Sequence, residues 1–98
     1  MANITETTTA TKKEDIMTRL KEHIAEEKDD AQAYYELAKE AKENGKSKLA
    51  FVLSGICNDE INHFDKITKC VMNAEMTNPI TDEDKEEMDY LKYKLMKL

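Results

Sequence analysis

Three ionisable residues of this 98-residue chain, Glu27, Glu60 and His63, interrupt apolar helix patterning where their chemistry could be combined. Glu60 lies four residues after Ile56 and four before Phe64. It therefore falls inside a stripe of Leu49, Val52, Leu53, Ile56, Phe64, Ile67, Val71 and Ala74 that recurs at the three-and-four spacing of a buried helix face. His63 follows Glu60 by three, so both side chains project toward one neighbour. Glu27 interrupts a second stripe, three residues after Ile24, four before Ala31 and seven before Tyr34. An ionised carboxylate on a core face is costly unless it is paired or bound to a metal. Carboxylate and imidazole together are the donors of a hard to borderline divalent cation. A Glu-x-x-His pair by itself arises often by chance in a Glu-rich chain; the matching interruption at Glu27 gives it weight.

The elements that must bring these residues together are legible from periodicity and punctuation. From about 12 to 43, Ile16, Leu20, Ile24, Ala31, Tyr34, Ala38 and Ala41 keep a helical period with no Gly or Pro. Asn44-Gly45 stops that helix, Gly45 taking the left-handed C-cap conformation, and Ser47 is placed to cap the next. The second helix is predicted over 48–75, up to Asn78-Pro79, where a backbone donor is lost and the preceding residue is restricted. Thr81-Asp82-Glu83-Asp84 resembles a capping box with Asp in place of Glu, and Met88, Leu91, Leu95 and Leu98 mark the stripe of a third, shorter helix over 82–97. The Thr-rich stretch 1–11 has no apolar period and reads as a disordered tail ahead of one helical domain, 12–98. So short a turn at Gly45 forces an antiparallel hairpin. Glu27 lies eighteen residues before Gly45 and Glu60 fifteen after it, so the two sit within about one helical turn, ~5 Å, of each other.

Composition sets the bounds. Charged residues make up 37% of the chain, against two glycines and one proline, which is an all-α composition. The net charge of -6 argues against a nucleic-acid or anionic-membrane partner. The longest nearly apolar run, Leu49 to Cys57, is too short to cross a bilayer, and no basic-then-apolar leader opens the chain, so a cytoplasmic protein is expected. Cys57 and Cys70 fall on one helix ~20 Å apart, beyond disulfide reach, and no Cys-x-x-Cys occurs.

One hairpin makes half of a four-helix bundle, and Glu27, Glu60 and His63 make half of the donor set for two metals. Two copies would supply one Glu from each of two helices and a Glu-x-x-His from each of the others, the arrangement of a di-iron carboxylate bundle. Four carboxylates then offset two divalent ions, and one imidazole per metal among oxygen donors favours iron, or manganese, over structural zinc.

In order and spacing, Glu27-Lys-Asp-Asp-Ala31-Gln-Ala-Tyr34, then Leu37-Ala38-Lys39-Glu40-Ala41-Lys42-Glu43-Asn44-Gly45, then Asp59-Glu60-Ile-Asn-His63, resembles the first helix pair of rubrerythrin, within the ferritin-like di-iron proteins. The likeness covers about His23 to Ile67. It implies Glu27 as a metal ligand, Glu60 as a bridging ligand, His63 as a terminal nitrogen ligand and Tyr34 as a hydrogen-bond donor behind them. The chain lacks a second Glu-x-x-His and a rubredoxin-type domain, both of which rubrerythrin has. Encapsulated ferritins are architecturally more similar, being short chains with one half-site, a tail and an extra carboxy-terminal helix, and they build a ferroxidase centre between subunits. The resemblance thus implies a homodimer, or a larger oligomer of dimers, with two iron ions at each interface, oxidising ferrous iron with dioxygen or peroxide. An encapsulin shell stays open as a partner, with no docking tail after Tyr93 to support it. The competing class is a metal-free helical oligomerisation and interaction module.

Neighbouring residues have plainer readings. His23 reads as a partly exposed packing residue, Tyr35 as boundary packing, Cys57 as a small core residue, and Asp30, Asp59 and Asn62 as a solvated face. The six methionines read as core filler.

Overall fold

A computed structural model gives the backbone of residues 2–98 and the side chains from residue 16 onward; the tail expected over 1–11 lies outside the residues described in full. The chain is all-helical: α1 spans Ala2–Glu43, α2 Ser47–Glu75 and α3 Asp82–Lys97, with no strand among the described residues. No helix among them is long and apolar enough to cross a membrane.

Asn44 to Lys46 reverse the chain through a Schellman motif. Gly45 sits at φ 74°, its N–H donates to the Lys42 carbonyl at 3.1 Å, and the Lys46 N–H donates to the Ala41 carbonyl at 2.8 Å. Lys46, rather than Ser47, is the residue before α2, and no side chain caps that end. The Schellman turn explains the shift: its last residue runs straight into the first turn of α2, leaving no extended residue for a Ser cap. α2 ends with Met76 at φ 58°, its N–H bonded to the Met72 carbonyl. At α3 the capping box forms as expected, with the Asp84 N–H donating to Thr81 Oγ1 at 3.0 Å and the Thr81 N–H donating to Asp84 Oδ2 at 3.3 Å.

Most of the packing joins α1 to α2, and α3 adds a smaller interface with both. Ala31 and Ala38 are fully buried, and side chains that small let the two long helices approach closely. Ile24 and Tyr35 of α1 meet Cys57, Ile61, Phe64 and Val71 of α2, and α3 lays Met88 and Leu91 on one side of the hairpin. Leu95 and Leu98 continue that contact, so the whole stripe expected of α3 faces the core.

The core face of α2 differs from the expected stripe. It runs through Ala50, Cys57, Ile61, Phe64, Thr68 and Val71, while Leu49 and Val52 are about half exposed. At 100° per residue the apolar arc of α2 is ~180° wide. α1 and α3 cover the half centred on Ile61 and Phe64; on the other half Leu49, Val52 and His63 are exposed, while Ile56, Glu60 and Ile67 are partly buried, Ile67 packing against the core. α1 repeats the pattern, burying Ile24, Ala31 and Tyr35 and leaving Ile16 and Leu37 about half exposed on the flank of Glu27. Among the described residues the hairpin therefore has one face closed by α3 and one apolar face left partly open.

Candidate metal centre

Glu27, Glu60 and His63 come together on that open face, each offering a ligand atom within 4.8 Å of the others. The antiparallel hairpin sets their level, since Glu27 precedes the turn by about as many residues as Glu60 follows it. The helical period sets their direction, because Glu27 shares a flank with Leu20 and Tyr34, and Glu60 one with Ile56 and Ile67. Donors on opposite sides of a first-row divalent ion lie about 4 Å apart, at ~2.0–2.2 Å per bond. Three donors cannot all be opposite one another, so the side chains would have to draw together from within 4.8 Å to hold a single ion.

Glu27 has 18% of its side chain exposed and His63 54%; Glu60, like Glu27, is intermediate. Glu27 Oε2 is buried without a hydrogen-bond partner, and His63 Nδ1 lies 3.8 Å away. That separation is too long for a hydrogen bond. A buried carboxylate oxygen with no donor is a rare and expensive arrangement in a single chain. Lys28, next in sequence, does not relieve it, because its ammonium points to the opposite flank and binds Asp84 at 2.7 Å together with Glu87.

The remaining residues depart from expectation in part: Tyr35, read as boundary packing, is buried in the core, and of the methionines read as core filler Met88 is buried while Met72, Met76 and Met96 are exposed. Tyr34 is half-buried against the edge of the core, two turns beyond Glu27, and makes no hydrogen bond to a carboxylate among the described residues. His23 is largely exposed and lies 3.4 Å from Glu26. Asp30, Asp59 and Asn62 are exposed. Cys57 is fully buried; its thiol donates to the Ala31 carbonyl at 3.2 Å, and burial pushes its pKa up. Cys70 is exposed, and both cysteines are free.

Sequence reasoning passed over Lys28. Its pKa is raised, first by its hydrogen bond to Asp84 and then by that to Glu87, and the Lys28 bond holds Asp84 below the usual carboxylate range. Only the charge pattern could have pointed to this pair, and it was too weak: one Lys of many on α1, 56 residues before its partner.

No protein-family model, no curated protein and no solved structure matches this chain.

Proposed function

We propose that two copies of the chain close their open faces on each other into a ferritin-like four-helix bundle, and that the paired half-sites bind and oxidise ferrous iron as a ferroxidase-type centre. The observation that carries this reading is the convergence of Glu27, Glu60 and His63 with one Glu27 oxygen buried and unpartnered. The donor set fits the ion: two carboxylates and one imidazole per chain give an oxygen-rich environment for iron, or manganese, and four carboxylates per dimer neutralise two divalent charges. The apolar arc around these residues supports pairing, since Ile16, Leu37, Leu49 and Val52 lie along it and are about half exposed among the described residues.

The chemistry supplied is one-electron oxidation of each ferrous ion, with dioxygen or peroxide as acceptor. The chain's own residues do the rest. Glu60 would hold the two ions together between subunits, Glu27 and His63 would fix each ion while leaving positions open to the oxidant, and Tyr34 would orient a carboxylate from behind. Apolar neighbours at the interface would exclude water.

Anaerobic titration with ferrous iron tests the reading. Two ions should bind per dimer, admitted oxygen should be consumed with ferric iron formed, and Glu60→Ala should lose both. At a hundredfold excess over the dissociation constant, binding stabilises a fold by about 2.7 kcal/mol, which in a domain of this size raises the melting temperature by upwards of about 10 °C. An unchanged melting curve at saturating iron returns the chain to the class of metal-free helical interaction modules.

A further inference from the structure

Among the described residues only two buried side-chain polar atoms lack a hydrogen-bond partner, Glu27 Oε2 and Thr68 Oγ1. The first belongs to the metal centre. The second lies on the other side of the hairpin, where Thr68, with 7% of its surface exposed, lines a cleft of about 290 Å³ between α2, the Asn78-Pro79 turn and α3. Phe64, Met72, Ile80 and Met88 give the cleft an apolar lining. Phe64 and Met72 stand one turn before and one turn after Thr68 on α2, so the hydroxyl is bracketed by apolar side chains. A helical Thr commonly bonds back to the carbonyl one turn earlier. Thr68 makes no such bond.

The charge at the rim is largely committed. Lys85 binds Asp89 at 2.9 Å and Lys92 binds Asp65 at 3.1 Å, so two of the cleft's three ammonium groups already hold a carboxylate, and the third, Lys69, is exposed to solvent. An anionic ligand would have to displace one of these pairs. The volume is just below that of clefts that take drug-sized ligands and well above the ~150 Å³ that holds a benzene ring.

We propose that this cleft is a binding site for a small, uncharged, mostly apolar molecule that carries one hydroxyl group, which Thr68 Oγ1 recognises by hydrogen bonding. Met72, partly exposed at the mouth, is the flexible side chain whose rotation admits the ligand to a hydroxyl otherwise closed off. The site is independent of the metal reading.

The test uses the full metal-free chain with 2-naphthol as probe and naphthalene as the matched molecule without a hydroxyl. 2-Naphthol should bind saturably, one per chain and at least about tenfold tighter than naphthalene, because a site built around a polar group rejects the analogue that leaves it unpaired. Thr68→Val keeps the shape and removes the hydroxyl; it should bring 2-naphthol down to the affinity of naphthalene, leave naphthalene binding unchanged and not lower the melting temperature. Thr68→Ser should retain the preference. The proposal is overturned if 2-naphthol fails to bind, binds no tighter than naphthalene, or is indifferent to Thr68→Val.

Discussion

Asp84 uses its two oxygens on different elements: Oδ2 accepts from the Thr81 N–H to close the capping box, and Oδ1 accepts from the Lys28 ammonium of α1. A carboxylate bonded in this way is held below its ordinary pKa, with the Lys28 bond the largest cause. Its contribution to folding is therefore complete above the ordinary carboxylate value near 4 and is lost as pH falls from there through the depressed native value. Asp84→Asn should destabilise the chain by about 1 kcal/mol at neutral pH. The gap between wild type and variant should then close as the solution is acidified from pH 6 to pH 3 in thermal melts; a gap that stays constant would show that the charge on Asp84 contributes nothing. Lys28 and Asp84 also mark what a sequence conceals at this scale. Glu27, Glu60 and His63 could be found because a charge on an apolar stripe is anomalous. Lys28 and Asp84 occupy polar positions, where charge is the default and a partner 56 residues away leaves no trace.

At the scale of elements, all three helices were legible, and so were Gly45 and the capping box, because each depends on short-range backbone chemistry. Less legible was which part of an apolar arc faces inward. Leu49, Val52 and Ile56 share a helical period with Phe64 and Val71, and only the positions of α1 and α3 decide that the latter pair is buried. The end of α2 was bracketed by Asn78-Pro79, but nothing announced that Met76 would adopt the left-handed conformation, which L side chains take at a cost of about 1 kcal/mol or more. The Met76 side chain is almost fully exposed and so adds little packing. Met76→Gly should stabilise the chain by about 1 kcal/mol, read as a higher denaturant midpoint at unchanged slope. An unchanged or lower midpoint would mean that Met76 packs against a surface outside this chain.

Across the whole molecule, two sides of one hairpin are treated differently: α3 closes one, and the donors occupy the other. If the open side pairs with itself, iron binding and dimerisation are thermodynamically linked, and iron must tighten the dimer by the same factor by which dimerisation tightens iron. Sedimentation under anaerobic conditions, with and without ferrous iron, should show the dissociation constant falling as iron rises, and Glu27→Ala should blunt that response while each hairpin stays helical. Equal responses in the two proteins would remove Glu27 from the ligand set. Val52→Glu, placed on the open side away from the donors, should separate the dimer while leaving the monomer folded. A half-site on each chain, as proposed, would have a consequence for the cell that makes it. If the proposed dimeric centre forms, then below the dissociation constant the number of complete centres would grow as the square of the chain's abundance, so doubling synthesis would quadruple oxidising capacity, and a sparse population would have almost none. The protein would then meter its own supply and oxidise iron only where it has accumulated.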